Sequence, residues 1–322
     1  MNQILMAKGA KQVVEVCAQV KENEKVVIIT EPKTMSIAES VAAAVVAVGA
    51  EPVISIIMPR TSDSAEPPET VAAAMLESDV FISAVFTSIT HTYAVKNAVQ
   101  NGSRGIMLTQ FEEHMLIDSG VMADFPKAAP TCEAVAKALE NAEVIHLKTS
   151  HGTDLTMSAT GRKSNAMTGM VKAGQFAPVP TIEANVSPLE GTANGTIVTN
   201  ASIPYIGIGL VKENVVVTVK DGMITNIEGG YEAQILKDDL ASKNDENVYN
   251  IAEIGVGLNP RCKFNGLMLE DEGVFGSVHI GIGSSITLGG TVKAACHYDL
   301  IMTGVTLVAD GVTIIEDGNV LL

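Results

Sequence analysis

The chain has 322 residues, about twice a typical domain, and 47% of them are hydrophobic, enough for two cores. Lys and Arg number 21 against 37 Asp and Glu, and the net charge of -16 repels phosphate backbones and anionic lipid, so nucleic acid and membrane surfaces are excluded as expected partners. Four cysteines, Cys17, Cys132, Cys262 and Cys296, show no C-x-x-C spacing, which fits reduced thiols in a cytoplasmic protein better than a disulfide framework or a thiolate zinc site.

The opening MNQILMAKGAKQVVEV has helical periodicity, with a lysine where a secretory segment would be apolar. The longest apolar stretch, Val41 to Met58, is broken by Gly-Ala-Glu-Pro at 49–52, so it reads as a helix and then a strand, and no membrane span is expected. From Val26 to about Lys148, short β-rich runs alternate with alanine-rich ones. KVVIIT, PVISIIM, DVFISAVF and RGIMLT are predicted strands; Ser36–Val48, Pro67–Met75, Tyr93–Gln100 and Cys132–Ala142 are predicted helices. Such alternation predicts a mostly parallel sheet covered by helices, an α/β domain spanning residues 1–148.

Beyond Ser150 the pattern becomes β-rich. DLTMSAT, GTIVTNASI, VVVTVKDGMITNIEGG, SVHIGIGSSITL and CHYDLIMTGVTLVADGVTIIEDG are punctuated by Gly and Asx-Gly pairs. Asp221-Gly222 and Asp310-Gly311, flanked by β-branched residues, are two-residue hairpin signals. Residues 149–322 are therefore expected to form an antiparallel, barrel-like, metal-binding domain, with one helical insertion at Glu232–Lys243.

The metal expectation starts at His297-Tyr298-Asp299. Residues two apart in a strand share a face, which sets an imidazole beside a carboxylate on a surface otherwise made for a core. Burying that carboxylate costs several kcal/mol unless a cation or a donor compensates it. A plain His–Asp hydrogen bond also satisfies the pair, and His279 taken alone is a candidate core histidine. Glu253 is the further carboxylate within reach.

Long pieces of the second half carry a resemblance: EGT at 190–192, GGYEAQ at 229–234, VYNIAEIGVGLNPR at 248–261, Gly276 to Gly290, and CHYD at 296–299. Together they resemble a superfamily that joins thermophilic-type leucyl aminopeptidases (aminopeptidases T and S), two-metal enzymes, to 2,5-dihydroxypyridine 5,6-dioxygenase, a mononuclear non-haem iron enzyme. In the dioxygenase branch the resemblance implies iron held by two histidines and an aspartate; His297 and Asp299 match, but Glu253 stands where the other histidine belongs. The aminopeptidase branch has a glutamate there, a histidine matched by His279, and a glutamate after Pro-Thr matched by Glu183. It also has a tyrosine where this chain has Ile286.

Weighing the ligands, the resemblance implies a metal-dependent hydrolase of a peptide or small amide C–N bond, an aminopeptidase or amidase. Glu183, Glu253, His279, His297 and Asp299 would hold two divalent ions (Zn, Co or Mn), and Glu183 and Glu253 would serve catalysis around a metal-activated water. The alternative is an Fe(II) ring-cleaving dioxygenase. Arg261 is a candidate for binding a substrate carboxylate through its planar fork. A small-molecule or short-peptide substrate and a homodimer are expected. Gly255, Gly257, Gly281 and Gly283 are read as letting backbone approach the site or turn a barrel corner, and Glu270-Asp271-Glu272 as a solvated charge run, with one of the three an alternative ligand to Glu253.

Overall fold

A computed structural model describes residues 2–322, and in it the chain separates into two compact units. The first comprises the residues up to Lys127 with Met167–Thr181; the second comprises Ala128–Ala166 and Ile182–Leu322. The chain thus passes between units three times, where the sequence suggests one boundary near residue 148. Ile145–Thr149 pairs with Asp154–Met157 and Val305–Ala309 in the second unit, and Phe176–Pro178 pairs with Arg104–Met107 in the first. A three-residue strand carries too little periodic signal to be read in advance.

The first unit is the expected parallel sheet, in the order Glu51–Ile56, Lys25–Thr30, Val80–Ala84, Arg104–Met107, Phe176–Pro178. Its inner strands, VVII and VFISA, are buried on both faces, which is why they read as continuous apolar runs. Helices Met35–Ala47, Glu69–Leu76 and Tyr93–Gln100 lie within a residue or two of their expected places. The helix expected from Cys132 instead runs Phe125–Leu139 and contains Pro130. The prolines masked its start, although a proline in the first turn removes no helical hydrogen bond.

The second unit holds two antiparallel sheets with open ends rather than one closed barrel. One has eight strands, ordered Met223–Glu228, Val215–Lys220, Asn194–Thr199, Asp154–Met157, Ile145–Thr149, Val305–Ala309, Val312–Glu316, Asn319–Val320. Both predicted hairpins belong to it. Asp221 and Gly222 have φ of 50° and 77°, Asp310 and Gly311 of 47° and 81°, the double left-handed turn that Asp-Gly supplies. Asp317-Gly318, at 46° and 80°, makes a third.

The other sheet has seven strands, ordered Gly209–Leu210, Ser202–Ile203, His297–Met302, Val278–Gly283, Ile251–Gly257, Glu183–Val186, Asn165–Met167. Its central strands alternate. Ala184, Val186, Ile254, Val256, Val278, Ile280, Ile282, Leu300 and Met302 are buried apolar residues at even positions, whereas the odd positions are polar or glycine except near two strand ends, at Ile251 and Ile301. One face therefore packs as core and the other presents chemistry. No described helix is long and apolar enough to cross a membrane.

Candidate metal centre

Register builds the site. Across the polar face, Glu183 lies opposite Gly257, His279 opposite Gly255, Glu253 and Asp299 on either side of Gly281, and His297 opposite Gly283. Each long functional side chain thus has a neighbour without one. A Cβ on Gly255 would sit 2.1 Å from His279 Nε2, and one on Gly281 would sit 2.7 Å from both Glu253 Cβ and His297 Cε1. Gly255 and Gly281 clear room for the imidazoles.

All five predicted ligands converge. His297 Nε2 is 3.0 Å from Glu253 Oε2 and 3.3 Å from Asp299 Oδ1; His279 Nε2 is 3.8 Å from both Glu253 Oε1 and Glu183 Oε2. The residues form two overlapping donor groups, Glu183–Glu253–His279 and Glu253–His297–Asp299, which share Glu253. Four of the five are buried, and His297 is the most open. Arg261 differs: it is exposed, its backbone N–H donating to Asn259 Oδ1 at 2.9 Å. Ile286 is exposed as well.

Two residues that sequence reasoning missed, or misplaced, complete the cluster. Tyr205 O–H donates to Asp299 Oδ2 at 2.5 Å, and Glu272 Oε1 lies 3.2 Å from the same phenol oxygen. Nothing in the local sequence around Tyr205 marks it. The Glu270-Asp271-Glu272 run is not a solvated loop, because all three residues are buried and Met268–Asp271 is a turn of helix. Asp271 accepts from Ser202 Oγ, 69 residues away, and from the nearby backbone N–H of Asn265 and Gly266. Asn185 donates to Glu183 Oε1.

The charges strain against burial. Burial raises the Glu183 carboxyl to about 7 despite the opposing His279 charge. For His279, burial favours the neutral ring, but Glu253, Glu183 and Asp299 outweigh it and lift its pKa to about 9. His297 is likewise opposed by burial and raised well above the usual histidine range by Asp299 and Glu253. Burial works against ionised Asp299, yet the His297 charge carries it below the ordinary carboxylate range. Burial, with the Asp299 and Glu183 charges, pushes Glu272 far up.

His297 shows what the donor set fits. Its Nδ1 is 2.8 Å from the Ser284 carbonyl oxygen, which can only accept, so Nδ1 carries a proton. The neutral ring then points its Nε2 lone pair at two carboxylate oxygens, an arrangement that needs a proton or a cation between them. Ligands at about 2.0–2.2 Å from one ion stand about 3 Å apart when cis and about 4 Å when trans, and the four distances above fall in that window. Asp299 Oδ1 has no hydrogen-bond partner although it is buried, and the Ser284 bond orients His297 as an outer hydrogen bond orients a ligating histidine. The residues fit a divalent metal ion.

The mixed α/β fold is shared by two solved structures. One is the 2,5-dihydroxypyridine dioxygenase of Pseudomonas putida KT2440, at a TM-score of 0.83 and 19% identity, covering 99% of this chain and 97% of that one. The other is wild-type AmpT from Thermus thermophilus, at 0.70 and 14%, covering both chains fully at 100%. The model of the 2,5-dihydroxypyridine 5,6-dioxygenase (NicX) family matches residues 5–322, and the chain belongs to that family. Its sequence is 28% identical over 146 residues to the 2,5-dihydroxypyridine 5,6-dioxygenase of Pseudomonas putida KT2440; the alignment spans 42% of this chain and 41% of that protein, about two fifths of the relative's length.

This membership overturns the expectation of a metallohydrolase of the aminopeptidase or amidase kind, and with it the roles of Glu183 and Glu253 around a hydrolytic water. The error lay in treating Glu253 as the residue that decides the branch. His279, on the neighbouring strand, lies within 3.8 Å of Glu253, so both histidines adjoin this one carboxylate and the extra His279 does not exclude the dioxygenase branch. A dioxygenase family implies a metal cofactor.

Proposed function

We propose that this protein is an Fe(II)-dependent ring-cleaving dioxygenase acting on a dihydroxylated pyridine. Family membership supports the reaction class, and the single observation that carries the chemistry is the His297 imidazole, whose Nδ1 is committed to Ser284 while its Nε2 faces Glu253 and Asp299. Two histidines with a carboxylate form the donor combination of mononuclear non-haem iron oxygenases, which leaves positions free for oxygen and substrate. When bound, the ion supplies activation of oxygen. Glu253, His297 and Asp299 form one donor group that would hold it, and His279, grouped with Glu183 and Glu253, adjoins that set through the shared Glu253; Glu183 is tied to Asn185.

In the overall reaction a ring carbon–carbon bond breaks, both atoms of O2 enter the product, and the aromatic substrate supplies the electrons, so no separate reductant is consumed. The chain's residues position and seclude the reactants. The apolar even-numbered face anchors the strands, and Gly255 and Gly281 leave the space that the His279 and His297 rings and the Glu253 side chain occupy.

The test is anaerobic loading with Fe(II), then addition of 2,5-dihydroxypyridine and oxygen. One iron per chain, with one O2 consumed for each ring absorption lost, is expected. Retention of two zinc or manganese ions with no oxygen uptake would overturn the reading.

A further inference from the structure

The strand Ser202–Ile203 pairs with His297–Met302 through Ser202 and Ile301 and then ends. Continuing the antiparallel count past that end brings Tyr205 opposite Tyr298, and the two rings do meet, with centroids 5.0 Å apart. Tyr298 is anchored in turn by its hydroxyl, which donates to Asp239 Oδ2 at 2.9 Å. From this edge position the Tyr205 phenol reaches past the strand to Asp299 on the polar face.

The phenol has one proton and two carboxylate neighbours. The 2.5 Å contact to Asp299 Oδ2 is a short, charge-assisted bond and takes the proton, while Glu272 Oε1 at 3.2 Å backs the phenol oxygen. The two oxygens of Asp299 are thereby made unequal. Oδ2 is occupied by Tyr205, and Oδ1 is buried, without a hydrogen-bond partner and turned toward His297 Nε2 at 3.3 Å.

We propose that Tyr205 is a positioning residue that acts through Asp299: its hydroxyl holds Oδ2 so that the carboxylate offers the metal a single oxygen, Oδ1. This rests on the metal reading above and adds which oxygen binds and what enforces it. Partners of ligating carboxylates typically contribute about 10–100-fold to metal affinity or activity. A purely structural tyrosine, packed on Tyr298, would contribute to folding and leave the coordination alone.

Co(II) titration of the metal-free protein, read by visible absorption without substrate, tests both levels. Wild type should bind one Co(II), and Tyr205→Phe should bind it about tenfold or more weakly, with lower absorption intensity as Asp299 closes on the ion through both oxygens. In an Asp299→Asn background the same Tyr205→Phe change should add less than twofold, because its route of action is already cut; the double-mutant cycle isolates that dependence. If Tyr205→Phe does not fold, Tyr205→Met, which lacks a donor but adapts its shape, is read in the same way. Wild-type affinity and spectrum in the variant, or equal losses in both backgrounds, overturn the positioning role while leaving the metal reading intact. Absence of Co(II) binding by wild type overturns both.

Discussion

Metal-free, this cluster is balanced by protons, and that makes a prediction about single residues. His279 is raised to about 9 and Glu183 to about 7. A group whose folded pKa exceeds its unfolded value binds extra protons in the native state, so its contribution is present at low pH and lost as pH rises through the folded pKa. For Glu183 the loss runs from about 4.5 to about 7, and for His279 from about 6.5 to about 9. The melting temperature of the metal-free protein should therefore fall between pH 6.5 and 9. A metal ion replaces those protons, so the loaded protein should hold its melting temperature over the same range, and metal affinity should rise with pH. Parallel pH curves for the two forms would contradict this. The glycines opposite the ligands give a second residue-level test. Gly255→Ala places a methyl 2.1 Å from His279 Nε2, deep in a rigid sheet, so bound metal should be lost in a protein whose circular dichroism stays β-rich.

Elements show which parts of the structure could be read in advance. Glu183, Glu253 and His279 were legible only through the family resemblance, whereas period-two spacing in HYDLIM sets His297 and Asp299 on one face because the pattern is local. The Asp-Gly pairs were legible for the same reason: two left-handed residues in sequence admit few alternatives. The Tyr205 bonds to Asp299 and Glu272 and the Ser202 bond to Asp271 were not legible, since they span 94, 67 and 69 residues. The turns themselves can be ranked. Gly311→Ala meets nothing within 4 Å and bears only the left-handed penalty, about 1–2 kcal/mol. Gly222→Ala has a similar φ but adds a contact of 2.6 Å to the Gly191 backbone nitrogen, so it should destabilise by clearly more. Urea midpoints that rank the two the other way would show that the Asp221-Gly222 turn is less closely held than the 2.6 Å contact requires.

At the scale of the molecule, family membership over residues 5–322, rather than any one residue, weighs against the hydrolytic reading. Glu253 in sequence argues for a hydrolytic site; Glu253 in space sits between two imidazoles that come from different strands. The same assembly sets the response to metal. Three buried carboxylates share a small volume with two imidazoles, and an ion bound only by the folded chain stabilises it by RT ln(1 + [L]/Kd), about 2.7 kcal/mol at a hundredfold excess over Kd. For a chain of 322 residues that corresponds to a rise in melting temperature of roughly 4 °C. Added Fe(II) or Co(II) should produce that rise in wild type, and a chelator should reverse it. Glu253→Gln removes the carboxylate common to both donor groups, so its rise should fall below about 2 °C, whereas His146→Gln, at a surface pair with Asp154, should respond like wild type. Equal metal-induced shifts in wild type and Glu253→Gln would place the ion elsewhere and separate this cluster from the chemistry of the protein.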